Sequence, residues 1–117
     1  MTKKFAIAKN KYTGISVQKT RLVADMVRMQ NALDVLDALK FVNRSGSKSV
    51  YKTISSAVAN AKVAGLSVNS LVVSKIMVDE APTLKRARIA SRHGVREILK
   101  RSSHITVVLE EINGTQN

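Results

Sequence analysis

The chain has no cysteine and no tryptophan, one proline, four aromatic residues and only eight acids among 117 residues. Each shortage excludes something. Without cysteine there are no disulfides and no thiolate metal sites, which fits a reducing compartment. The aromatics Phe5, Tyr12, Phe41 and Tyr51 are scattered along the chain. A sheet that stacks single-stranded bases needs aromatics clustered on adjacent strands, so sequence-specific base stacking is not expected. No apolar run approaches the ~20 residues needed to span a bilayer, and MTKKFAIAKNKY lacks the apolar stretch of a signal peptide.

The acids Asp25, Asp34, Asp37, Asp79, Glu80, Glu97, Glu110 and Glu111 lie mostly apart. Asp79 and Glu80 are adjacent and would point to opposite faces of a strand, so they make no carboxylate pair. No phosphate-binding glycine loop, dinucleotide glycine pattern or metal-ligand spacing occurs, and no metal, cofactor or small-molecule substrate is expected. His93 and His104, with Lys100 between them, are the pair that could imitate a metal-free nuclease. The blander reading is favoured: His93 as an exposed or RNA-contacting residue, and His104 as a strand-edge residue. The N-x-S/T sequons at Asn43 and Asn113 have no secretory signal to give them meaning.

Twenty Lys and Arg against eight Asp and Glu give a formal charge of +12 and a pI near 10.5. Such a chain repels itself and is attracted to polyphosphate or to anionic membrane. Hydrophobic residues nevertheless make up 44%, so the chain is not compositionally disordered. At this length it is read as a single domain, residues 1–117, burying roughly 65% of its unfolded surface.

Along the chain, Lys3 to Ile15 alternates loosely and is expected to be an edge strand whose exposed face carries Lys9 and Lys11. Ser16 is placed to cap a helix in which Leu22, Val23, Met26 and Val27 form an apolar stripe, with Lys19, Arg21 and Arg28 elsewhere on it. A second helix is expected from about Asn31 to Phe41, burying Ala32, Val35, Leu36 and Leu39. After the breaker NRSGS comes a third, from about Ser47 to Val63, with Val50, Ile54, Ala57, Val58 and Ala61 on one face and Gly65 at its end. Leu71 to Val78 reads as a strand whose alternation is broken at Ser74 and Lys75. Ile105 to Leu109 is a cleaner strand, and EEINGTQN reads as a frayed tail. The pattern is α+β: a small three-stranded antiparallel sheet packed by three helices.

Between the last two strands lies the most informative stretch, LKRARIASRHGVREILKRSSH. It carries Lys85, Arg86, Arg88, Arg92, Arg96, Lys100 and Arg101 against the single acid Glu97. Residues 79–103 are too long for an ordinary hairpin turn. Read as two extended limbs of about eleven residues with Gly94 near the turn, they form a long protruding basic β-hairpin reaching roughly 35 Å. Arginine suits this role because its planar fork bridges phosphate oxygens bidentately, which an ammonium cannot do. A free nucleoid-type or membrane-surface protein is the alternative from another class. It would call for a basic amphipathic helix, whereas the charge here sits in a presumed hairpin.

Four ordered motifs also resemble a known family. GISVQKTRLVADMVR at 14–28, SSAVANAKV at 55–63, LVVSKIMVDEAPTLKRAR at 71–88 and REILKRSSHITVVLEE at 96–111 are similar to large-subunit ribosomal protein twenty-two. The resemblance implies a domain on the outer surface of the large ribosomal subunit in the cytoplasm, near the polypeptide exit. It further implies a hairpin reaching inward to line the nascent-chain tunnel. The implied partners are large-subunit ribosomal RNA, neighbouring ribosomal proteins and the nascent polypeptide, with a part in early assembly. By position, the resemblance puts Ser16, Lys19, Arg21, Lys85, Arg86, Arg88, Arg92, Arg96, Lys100 and Arg101 at the RNA surface and His104 where the hairpin returns to the sheet. His104, Lys9 and Lys11 of the basic edge strand, and His93 of the arm complete the expected RNA-facing set. Arg88, Ile89, Ala90, Ser91, Arg92, His93 and Gly94 would form the tunnel tip. The chain departs from the family pattern at Val17, where proline is usual, at Ala81, where glycine is usual, and at Gly94–Val95, where Gly-Arg is usual.

Overall fold

The computed structural model describes the backbone of residues 4–82, 84–89, 95–100 and 102–112, and the side chains of 4–82 and 102–112. Among the described residues, five strands and three helices follow in the order β1 (Phe5–Asn10), α1 (Val17–Val27), α2 (Ala32–Leu39), α3 (Ser47–Val63), β2 (Leu71–Glu80), β3 (Leu84–Ile89), β4 (Val95–Lys100) and β5 (Ser103–Glu111). A short 3₁₀ turn, Val68–Ser70, leads into β2. The sheet order is β1-β5-β2, antiparallel throughout, while β3 and β4 pair only with each other.

The helices cover one face of the three-stranded sheet. α1 lies against β2, α3 against β1 and β5, and α2 against α3. On β5, Ile105, Val107 and Leu109 are fully buried, as their alternation predicts. The break in β2 at Ser74 and Lys75 is a register shift, with Val73 facing Leu109 and Lys75 facing Val108. The extra residue changes the phase of the strand, so that Leu71 and Val73 before it and Ile76 and Val78 after it are all buried. A regular strand would have put one of those pairs in water. Each such aliphatic side chain contributes about 1.5–3 kcal/mol by leaving water.

α3 has the bounds and the buried face that its sequence predicts, with Val50, Ile54, Ala57, Val58 and Ala61 turned inward. It ends as Gly65 implies. Gly65 takes φ +81°, Leu66 N–H donates to Ala61 O at 2.9 Å and Gly65 N–H to Lys62 O at 3.1 Å, a Schellman closure. α2 is shorter than expected and stops at Leu39, with Phe41 88% exposed beyond it. Asn31 caps it, its Oδ1 accepting from Leu33 N–H at 3.0 Å and Asp34 N–H at 3.2 Å.

α1 departs more. Ser16 caps it as expected, with Val17 at the first helical position. Its buried face, however, is Thr20, Val23, Ala24 and Val27, whereas Leu22 and Met26 are half exposed. Both stripes satisfy helical spacing, and close approach decides between them. Gly46, ahead of α3, comes so near that an added Cβ would lie 3.2 Å from the Thr20 Cα. Only small residues fit such a seam.

Two further expectations change. β1 covers Phe5–Asn10 and not the whole of 3–15, since residues 11–15 leave the sheet as a loop. Its exposed face carries Phe5 and Ile7 together with Lys9. The start of the tail is held in place: Glu111 of β5 pairs with Leu71 of β2, its carboxylate accepts from Ser67 N–H, and Ile112 N–H donates to Ser70 O at 2.8 Å, while residues 113–117 lie outside the described residues.

Candidate nucleic-acid interface

β1 pairs with β5 no further than Asn10 opposite Ile105. Beyond that point only β2 and β5 continue, with Asp79 facing His104 and Glu80 facing Ser103, and Ala81 N–H donates to Ser102 O at 3.1 Å. The sheet therefore narrows to a two-stranded neck. Pairing resumes at Leu84 opposite Lys100 and runs to Ile89 opposite Val95. Three residues separate Glu80 from Leu84 but two separate Lys100 from Ser103, so the outgoing limb carries one residue more at this point.

The six-residue strands of the β3–β4 ribbon span about 20 Å at ~3.3 Å per residue, and counted from Asp79 the outgoing limb reaches Ile89 in the eleven residues expected. The molecule is elongated, with a principal extent of 69 Å and a radius of gyration of 17.6 Å. A compact chain of this length would have a radius near ~13 Å. The ribbon register also sorts charge. Arg88 is opposite Arg96, Arg86 opposite Ile98, and Leu84 opposite Lys100, and these positions share one face of the ribbon. The alternate positions are Lys85 opposite Leu99, Ala87 opposite Glu97 and Ile89 opposite Val95. Four cations thus fall on one face, while the lone acid falls on the other. Ala90, Ser91, Arg92, His93, Gly94 and Arg101 lie outside the described residues.

In the body, Lys9, Lys11 and Lys19 are exposed. Among the described residues the ion pairs are Arg28–Asp25 and Lys40–Asp37, and none of these three lysines pairs with a described acid. Ser16 is committed locally, its Oγ accepting from Lys19 N–H at 3.5 Å while its carbonyl receives the Thr20 hydroxyl at 2.9 Å. Arg21, expected at the RNA surface, is exposed but already engaged. Its Nε and Nη2 donate to Val78 O at 3.3 and 3.0 Å. Arg28 treats Ile76 O in the same way through Nη2 at 3.0 Å. Both guanidiniums cap carbonyls on the open edge of β2, a strand edge that would otherwise invite pairing.

His104 is half-buried at the neck. Its Nδ1 accepts from Tyr12 N–H at 3.1 Å, and the Tyr12 ring stands edge-on to the imidazole, 4.7 Å between centroids. An accepting Nδ1 means that the neutral ring carries its proton on Nε2. That leaves Nε2–H as a donor suited to a phosphate oxygen, and it removes Nδ1 from any acid–base pair with His93. Among the described residues, no cluster of three or more His, Asp or Glu could hold a metal ion.

The loop that grips His104 was not singled out by the sequence. Tyr12, Thr13 and Gly14 are each hydrogen-bonded to residues 102–104, and Thr20 and Ser103 share a buried hydroxyl contact at 3.4 Å. Polar residues in a strand-to-helix connection are ordinary, and nothing local reveals a partner about ninety positions away.

A model of the family described as ribosomal protein L22p/L17e matches residues 8–110. The chain belongs to that family. As an L22p/L17e member it is a structural protein of the large ribosomal subunit, in a cytoplasmic ribosome, and the family is not one of enzymes. The match spans β1 from Ala8, all three helices, the ribbon and nearly all of β5. It agrees with four separate motifs being similar to one family. Among the described residues no helix is long and apolar enough to cross a membrane.

Proposed function

We propose that this L22p/L17e chain binds large-subunit ribosomal RNA through its arm, residues 79–103, and through the body surface beside the neck. In this reading it supports assembly of the subunit and lines the nascent-peptide exit tunnel with the tip from Arg88 to Gly94. The observation that carries it is the ribbon itself. Among the described residues β3 and β4 pair with each other and with no other strand, and their register puts the positions of Arg86, Arg88, Arg96 and Lys100 on one face. A two-stranded ribbon is marginally stable alone in water. Four positive charges along one face of such a ribbon are a poor choice for folding and a good one for lying between phosphates.

Arg86, Arg88 and Arg96 would bridge phosphate oxygens, joined by Lys85 and Lys100, and by Arg92, His93 and Arg101. Lys9, Lys11, Lys19 and the Nε2–H of His104 would extend the surface across the body toward Ser16 and Arg21. Recognition would follow RNA shape and 2′-hydroxyls, since the exposed aromatics form no stacking platform. Neighbouring ribosomal proteins complete the surroundings, and the nascent polypeptide would pass the tip.

The test is a titration of the protein against large-subunit ribosomal RNA over a range of salt. Neutralising six to ten phosphates makes the affinity fall by about 10³–10⁵ between 50 and 200 mM salt. Near-constant affinity across that range would overturn the reading. For the tip, a photo-crosslinker at position 89 should capture nascent chain in translating ribosomes. Crosslinks to RNA or protein without nascent chain would remove the tunnel assignment and leave RNA binding standing.

A further inference from the structure

The neck of the arm is held from two sides by hydrogen bonds within the protein. On the returning limb, Tyr12 N–H donates to His104 Nδ1 at 3.1 Å, Thr13 N–H to Ser103 O at 3.0 Å, and Gly14 N–H to Ser102 Oγ at 2.9 Å. The Thr13 and Ser103 hydroxyls meet at 2.9 Å, and Thr20 of α1 reaches the same Ser103 oxygen at 3.4 Å. On the outgoing limb, Arg21 clasps the Val78 carbonyl with two donors at 3.0 and 3.3 Å. Ala81, Ser102 and Ser103 are buried between these grips.

Three consecutive amides meeting three consecutive residues demand an unusual backbone. Gly14 takes φ +81°, and Tyr12, which is not glycine, takes φ +56°. A side-chain-bearing residue held there is strained and persists only where its surroundings over-determine it. Mere closure of a strand-to-helix loop does not require it. The strained residue is also the one whose amide engages His104.

We propose that the Tyr12–Gly14 loop and Arg21 form a collar that fixes the direction in which the arm leaves the body, with Tyr12, Thr13, Arg21 and His104 as positioning residues. The proposal rests on the reading of the arm as an RNA-binding element. Its logic is leverage. A tilt of ~10° at the neck carries Ala87, ~23 Å beyond Glu80 at ~3.3 Å per residue, through about 4 Å. Hydrogen bonds to phosphate do not survive such a displacement. An arm aimed before contact avoids the cost of ordering it on binding.

The absence of native cysteine allows a direct test, with spin labels at Ser56→Cys on the exposed side of α3 and Ala87→Cys on β3. In the free protein the collar predicts one narrow body-to-arm distance distribution. Thr13→Val with Ser102→Ala removes collar hydrogen bonds without altering charge. It should widen the distribution by about 4 Å, the excursion expected from a ~10° tilt. Far-UV circular dichroism should be retained. Affinity for ribosomal RNA should fall about tenfold with an unchanged salt slope, as ordering moves into the binding step. An unchanged width in that variant overturns the collar. Should the double variant lose cooperative unfolding, Arg21→Lys decides, since it keeps the charge but not the two-donor clasp. Broadening in Arg21→Lys supports the collar and an unchanged width overturns it. A broadened arm with undiminished RNA affinity leaves the collar intact and counts against the arm as the RNA-binding element.

Discussion

Gly46→Ala should be markedly more damaging than alanine at either of two other glycines, and the structure says by how much. Gly46 sits at φ +93°, where a side-chain-bearing residue costs about 1–2 kcal/mol. Its new Cβ would also stand 3.2 Å from the Thr20 Cα and 3.4 Å from the Thr20 Oγ1. The nearest atom is backbone in the middle of α1, with Thr20 fully buried and its hydroxyl tied to the Ser16 carbonyl. Relief therefore means shifting α1 or the start of α3, an overpacking cost of about 1 kcal/mol or more. The sum is ~2–3 kcal/mol. At ~2.1 cal/mol/K per residue, a loss of ~2 kcal/mol lowers Tm by about 8 °C. Gly14 and Gly65 serve as controls. Each has φ +81° but nothing within 4 Å of an added Cβ, so Gly14→Ala and Gly65→Ala should lose only the backbone part, ~1–2 kcal/mol. Urea unfolding of the three variants, read as midpoint shifts at constant m, measures the difference. Equal destabilisation by all three would refute the close-approach account of α1, and with it the reason given for the exposure of Leu22 and Met26.

Other outcomes follow from the same structure. Leu109→Ala, in the fully buried centre of β5, should cost about 2–5 kcal/mol, whereas Val63→Ala, 90% exposed, should stay within about 0.5 kcal/mol. Asn31→Ala should cost about 1–2 kcal/mol through loss of the α2 cap. Asn31→Asp keeps both accepting contacts and loses only the 3.2 Å donation to Asn69 O, so it should cost less; denaturant unfolding ranks the two. Deleting Lys85–Lys100 should leave cooperative unfolding intact, because β3 and β4 pair only with each other, while incorporation into large subunits is weakened. Non-cooperative unfolding of that deletion would mean that the arm belongs to the core.

How much the sequence disclosed varies with how local the deciding interaction is. α3 was legible in full because its apolar spacing, its breaker at 43–47 and its closing Gly65 all lie within twenty-odd residues. The bulge in β2 announced itself as broken alternation, although only the pairing with β5 shows that it rescues burial on both sides. The cationic stretch was visible from its composition, and extended limbs followed from its length and flanking strands. The extra residue of the outgoing limb at the neck was not legible, because a change of register cannot be read from one strand.

What the sequence determined by itself was therefore the α+β class, the order of elements, the cap at Ser16, the buried rows of α3 and β5, and a basic arm between two strands. Local periodicity, backbone capping and net charge are properties of contiguous residues, and they act before any long-range contact forms. The tertiary structure decided which of two apolar stripes α1 buries, because that depends on the approach of Gly46. It decided which cations share a face of the ribbon, because that depends on register. It also turned Arg21, Tyr12 and His104 from separate polar residues into the grip on one neck. Those roles rest on partners some fifty to ninety positions apart, and folding alone brings them within hydrogen-bonding distance.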